Sequence, residues 1–213
     1  MSLPITVAKD QDIQDVASDL SEVFIDLVTT DELVKAIPVI GTLVHLARAK
    51  QSITDKLFAR KVRSMILGAG PADAKRLAFF QSLDADHEVQ QRVGQVIVMA
   101  LDRADDFKKA AIIGRLTSLY AAAEFTFDEF RRLLCAIDRA FIDDLLAFPG
   151  WALQGEHPPN FDPSSLVNSG LVSPSYQFRA GGNDNQPNVQ PLYGRSRLGV
   201  TYCKHLLGFR PLA

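Results

Sequence analysis

The chain is poor in cysteine. Two residues in 213, Cys135 and Cys203, lie far apart and form no Cys-x-x-Cys pair. That argues against a disulfide framework or a zinc ribbon. Both sit in apolar helical patterns, so both are expected to be buried free thiols, a usage that suits a reducing cytoplasm. A long apolar run is lacking too. A largely apolar, uncharged stretch, residues 36–47, contains Pro38, Gly41 and His45. As a helix it would rise about 18 Å, against a hydrocarbon core of about 30 Å. The N-terminus has no basic segment followed by an apolar core and does not read as a secretory signal. Charge of one sign is also missing: the formal net charge is −2, with 23% charged residues, so no global basic excess points to nucleic acid.

Catalytic signatures are equally scarce. His45, His87, His157 and His205 are dispersed, and no His-Glu-x-x-His is present. Cys203 and His205 are two residues apart, which in a helix turns them away from one another. Gly68-Ala69-Gly70 and Gly181-Gly182 make neither a dinucleotide fingerprint nor a P-loop, and no Gly-x-Ser-x-Gly elbow occurs. The segment over 119–134 lacks the oxygen ligands of a calcium loop. The pairs Asp84/Asp86, Asp105/Asp106 and Asp143/Asp144 fall near helix ends, where carboxylates meet the positive end of a helix dipole. The expectation is a non-enzymatic protein with no cofactor and no metal.

What the chain does have is helical periodicity. With 47% hydrophobic residues it can build a sizeable core. Ile13, Val16, Leu20, Val23, Phe24 and Leu27 predict an amphipathic helix over 12–28 after a lead-in over 1–11. Pro38 breaks or kinks a short helix over 32–37. A long helix resumes at Thr42 and stops at Gly68-Ala69-Gly70-Pro71. Helices then follow over 72–83, 86–102 and 107–122. Thr126 and Glu129 match a capping box for a helix running to about Phe148, where Pro149-Gly150 ends it. Residues 149–161 change character and read as a proline-rich linker packed by Trp151 and Phe161.

The only convincing strands come later. Residues 163–168 predict a short helix, 171–178 and 189–193 two strands around a glycine- and asparagine-rich tip, and Ser196 caps a final helix over 197–207. Pro174 argues for an edge position. The fold expected is therefore mainly α: a helical bundle over 12–148 followed by a small α+β module over 162–213.

The order short helix, Gly170-Leu171-Val172, hairpin, Ser196-Arg197-Leu198-Gly199 and Tyr202 resembles the winged-helix pattern. The resemblance covers about a fifth of the chain and implies a module that binds DNA or another protein. A DNA reader needs a basic recognition helix, and the candidate, residues 162–168, has no Lys or Arg. Arg179, Arg195, Arg197 and Lys204 are the candidate partner or phosphate contacts. The layout also resembles bacterial abortive-infection alpha-type helical proteins, through Gly170-Leu171-Val172 and Leu198-Gly199 to Tyr202. That likeness implies a defence or mobile-element setting.

A second candidate surface is the basic run Arg48, Lys50, Lys56, Arg60, Lys61 and Arg63 that follows the apolar turn. Such a run suits an anionic membrane face, a partner protein or a homodimer, or it lies on the solvated side of a buried hairpin. The sequence thus predicts a cytoplasmic interaction or regulatory protein docking a protein partner through its C-terminal module. A DNA-binding regulator and an effector at the inner membrane face, using residues 33–66, are the alternatives.

Overall fold

The computed structural model describes residues 53–71, 74, 78, 79, 87–156, 158–179, 188–209 and 211. Among them are six α-helices and two strands. The helices are α1 (Ile53–Ala69), α2 (His87–Arg103), α3 (Phe107–Ala121), α4 (Phe127–Arg139), α5 (Ile142–Pro149) and α6 (Arg197–Leu206). A π-turn (Gly150–Gln154) and a 3-10 turn (Pro163–Leu166) separate α5 from the antiparallel strands β1 (Val172–Arg179) and β2 (Asn188–Arg195). The protein is mainly helical, with a small α+β element at its C-terminal end. The expected helices over 12–28 and 32–37, and the Pro38–Gly41 corner, lie outside the described residues, as does most of the one over 72–83.

Local capping chemistry sets the boundaries. Asp106 accepts the Lys108 amide at the start of α3. Thr126 and Glu129 form the capping box of α4 in both directions. Ser196 accepts the Gly199 amide at the start of α6. Each satisfies an amide that has no partner inside the helix.

Packing decides the rest. α1 and α3 cross with almost no side chain between them. A Cβ on Gly68 would fall on the Ala111 carbonyl, and one on Gly114 on the Met65 carbonyl. Gly68 is therefore a crossing residue inside α1 rather than part of its stop. Around this crossing sit Val62, Met65, Ile66, Ile112, Ile113 and Leu116, all buried. Tyr120 lies flat against Phe130, with ring centroids 4.8 Å apart, and joins α3 to α4.

Two expectations about α4 need correction. The single helix to Phe148 is two helices. Ala140 and Phe141 are extended, and Phe141 is 74% exposed. The break re-aims the chain, so Leu145 and Phe148 turn toward α6 instead of following α4. Cys135 is exposed, whereas Cys203 is buried as expected. Cys135 follows Leu134, and one residue along a helix turns about 100° away from the buried stripe.

The proline-rich segment after α5 is more ordered than its composition suggests. Pro149 keeps helical angles and the chain continues straight into the π-turn. Trp151 packs between Phe148 and Phe161, at 5.9 and 5.6 Å between ring centroids. Among the described residues one buried cluster runs from Val62 through Phe148 to Leu166, Leu171, Tyr202 and Leu206. The root of the hairpin and α6 thus share the core of the helical body.

Candidate partner-binding surface

The hairpin grows out of this core. Asp162 caps the 3-10 turn by accepting the Ser164 amide and hydroxyl. The Ser164 hydroxyl and amide hold its carboxyl below the usual range. The Ser165 hydroxyl donates to Asp144 of α5 at 2.7 Å, tying the turn to the body. Leu171 and Val172 are buried, and the Leu171 carbonyl accepts the Ser196 amide at 3.1 Å. α6 lies so close to this point that a Cβ on Gly199 would strike the Leu171 carbonyl. The Leu198-Gly199 pair thus has a packing role.

Strand register then fixes the faces. Val172 pairs with Arg195, Pro174 with Tyr193, Tyr176 with Pro191 and Phe178 with Val189, without a bulge. Alternate residues share a face, so Pro174, Tyr176, Pro191 and Tyr193 lie together. The opposite face carries Ser173, Ser175, Gln177, Gln190 and Leu192. Tyr193 is half-buried and packs on the core, while Tyr176, further out, is 63% exposed. No charged residue stands among these four. Both strands spell the same pattern, Val172-x-Pro174-x-Tyr176 and Val189-x-Pro191-x-Tyr193. Sequence reasoning centred on cations passes over this duplication, although it is legible in the letters.

The candidate cations are distributed differently from a phosphate-binding stripe. Arg195 is exposed at the end of β2, opposite Val172. Arg197 is 95% exposed and lies 3.7 Å from Glu129. Lys204 lies 4.0 Å from Glu124. Arg179 pairs through its backbone with Asn188 at the far end of β1. Two of the four thus face carboxylates. Glu129 is held below its usual range first by the Thr126 amide, then by the Thr126 hydroxyl. The guanidiniums of Arg132 and Arg131 do the same for Asp128. Thr126, Asp128, Glu129, Arg132, Arg197 and Thr201 line a shallow groove between α4 and α6.

The basic run on α1 is largely occupied with structure. The Lys61 ammonium donates to the Asp102 carbonyl at 2.9 Å, satisfying the open C-terminal end of α2. The Arg60 guanidinium lies over the Phe107 ring at 4.7 Å. Arg63 is half-buried, with its Nε lacking a hydrogen-bond partner. Lys56 lies on the first turn of α1, and Arg48 and Lys50 lie outside the described residues. The structure thus brings Arg60 and Lys61 together at the α1–α2–α3 junction.

Burial shapes the remaining titratable groups. It pushes the Cys203 thiol up to about 12 and raises Tyr202 and Tyr120. His205 is lowered by partial burial first, then by Lys204. Among the described residues, no group of three or more His, Cys, Asp or Glu could hold a metal, and no helix is long and apolar enough to cross a membrane. No protein-family model, curated protein or solved structure matches the chain.

Proposed function

We propose that this is an interaction or regulatory protein whose C-terminal hairpin module docks a protein partner through the Tyr176 face. The observation that carries this reading is the strand register, which gathers two tyrosines and two prolines on one face, with Arg195 at its root as the one charge on that face. Tyrosine supplies large, stiff contact area at low entropic cost and is enriched where proteins meet. The root of the hairpin is anchored by Leu171, Val172 and Tyr193. An isolated two-stranded hairpin is marginal in water, and this anchoring stiffens it before a partner arrives.

The DNA reading rests on Arg195 and Arg197, both exposed at the hairpin root. Against it, the element in the recognition-helix position is a four-residue 3-10 turn, Pro163–Leu166, with no basic side chain. A major groove about 12 Å wide is read by a full helix or a two-stranded ribbon.

The test is site-specific photocrosslinking in cells, with p-benzoylphenylalanine in place of Tyr176 and, as control, of Asp128. A discrete protein adduct at 176 and none at 128 is expected. Absence of an adduct at 176 would overturn the docking reading. Steeply salt-dependent binding to random duplex DNA, weakened in Arg195→Ala/Arg197→Ala, would put the DNA reading in its place.

A further inference from the structure

We propose that the hairpin face takes a short, uncharged polyproline II segment of the partner, laid across Tyr176 and Tyr193. This rests on the docking reading above and names the chemistry of its ligand.

The ladder parity carries the first step. Leu171 accepts from the Ser196 amide and begins the ladder as a hydrogen-bonded pair. Pairs then alternate. Val172/Arg195 is a non-hydrogen-bonded pair, Ser173/Gly194 a hydrogen-bonded one, and Pro174/Tyr193 and Tyr176/Pro191 fall in the non-hydrogen-bonded class. In that class opposing Cα atoms approach to about 4.5 Å and side chains come closest. Each tyrosine therefore stands beside a proline across the ladder, and the two Tyr–Pro pairs are neighbours on one face.

The same parity removes the commonest alternative. Residues of non-hydrogen-bonded pairs aim their amides outward, at the open edge. Pro174 sits at that position on β1 and Pro191 on β2, and neither has an amide hydrogen. Each edge thus lacks a donor in its middle, so a partner strand cannot extend the sheet across it. Recognition must use the face.

Size and charge narrow the ligand. Eight residues per strand give a face about 27 Å long and about 10 Å wide, roughly 270 Å². A stable dimer needs about 800 Å² from each partner. The face is too small for a second copy of this chain and suits a peptide. Apart from Arg195 at its root, opposite Val172, it holds no charge to select a charged peptide. A polyproline II segment has no internal hydrogen bonds and leaves its carbonyls free. Its prolines fit apolar troughs beside aromatic rings, and the tyrosine hydroxyls donate to its carbonyls. The diagonal between Tyr176 and Tyr193 is about 7–8 Å, close to one polyproline II turn of about 9 Å. Tyr193 is held by the core, so one side of the seat is rigid before binding.

The experiment is a fluorescence-anisotropy titration of fluorescein-labelled decaproline with the full chain, alongside a labelled Gly-Ser decapeptide. Saturable binding of decaproline and not of Gly-Ser is expected, changing less than about two-fold between low and high salt, since no counterions are released. Tyr176→Ala should weaken it by roughly ten-fold or more, as loss of an aromatic anchor does. Tyr176→Phe, which keeps the ring and guards against a folding artefact, should retain most of it. Leu192→Ser, on the other face, should leave it unchanged. No saturation with decaproline, equal binding of Gly-Ser, or equal affinity in Tyr176→Ala would overturn the proposal. A Tyr176 photoadduct with no decaproline binding would leave the docking reading standing and remove the ligand class.

Discussion

The hydroxyl of Tyr202 donates to the main-chain carbonyl of Leu145 at 3.0 Å. That carbonyl is the one Pro149 leaves free, because the amide four residues ahead would normally take it and proline has no hydrogen to give. Tyr202 is fully buried, so its hydroxyl needs a partner. The proline at the end of α5 and the tyrosine of α6 are thus two halves of one arrangement that docks the last helix on the body. Tyr202→Phe should cost about 1–3 kcal/mol, because a buried acceptor then loses its donor. Pro149→Ala restores the local amide. Urea denaturation should therefore show Tyr202→Phe costing less in the Pro149→Ala background. Equal costs in both backgrounds would break the link between the two residues.

The α1–α3 crossing makes a sharper demand. Added methyl groups at Gly68 or Gly114 would meet main-chain carbonyls, not side chains that can swing aside. Overpacking costs typically about 1–3 kcal/mol, and a backbone obstacle belongs at the upper end. Gly114→Ala should lower stability by about 3 kcal/mol in urea unfolding. Gly194→Ala on β2, where an added Cβ would meet nothing within 4 Å, should cost much less.

These cases show what a sequence discloses. Helix starts at Phe107, Phe127 and Arg197 were legible because capping joins residues two or three apart. The break at Ala140 was not, because Phe141 continues the apolar spacing of α4 and tertiary packing alone turns it outward. Lys61 reads as a candidate surface contact in the sequence because the α2 carbonyl it caps belongs to a distant segment. The hairpin was placed within two residues, but the meaning of its repeated Val-x-Pro-x-Tyr depends on an antiparallel register that spacing does not give.

The two cysteines should separate cleanly by reactivity. Cys135 is exposed, while Cys203 is buried with its thiol pushed up to about 12. The thiolate is the reactive form. Maleimide at neutral pH should label one site rapidly in the native chain, and Cys135→Ser should abolish that phase. Both sites should label in urea. Rapid labelling of Cys203 in the native chain would show that α6 opens readily.

Stability should fall in two stages on acidification. His205, edge-on to Phe125 at 5.7 Å between ring centroids, is lowered by burial and by Lys204 and Arg115, with Glu124 opposing. The unfolded chain binds this proton more readily than the folded one. Its contribution is therefore intact above about pH 6.5 and is lost as pH falls through the lower folded value. Asp128, Glu129 and Asp162 are also lowered. Their contribution is intact above about pH 4.3 and is lost further into acid. The urea midpoint of the parent chain should begin to drop below pH 6.5, and His205→Gln should remove that first stage and keep the second. An unchanged first stage in His205→Gln would assign it to another group.

Edge protection by Pro174 and Pro191 gives the hairpin its own test. A two-stranded sheet has both edges open, and exposed edges invite pairing with another chain. Here each edge carries a proline at an outward amide position. Threonine is well suited to strands and restores the missing donor. Pro174→Thr/Pro191→Thr should therefore extend both edges while leaving the root contacts of Leu171, Val172 and Tyr202 in place. Sedimentation velocity over a range of concentrations should show the double variant self-associating more strongly than the parent chain. Its circular dichroism should gain strand signal as it does so. If the two chains sediment alike at every concentration, the prolines do not guard the edges, and the case for recognition through the face loses its exclusion of strand addition.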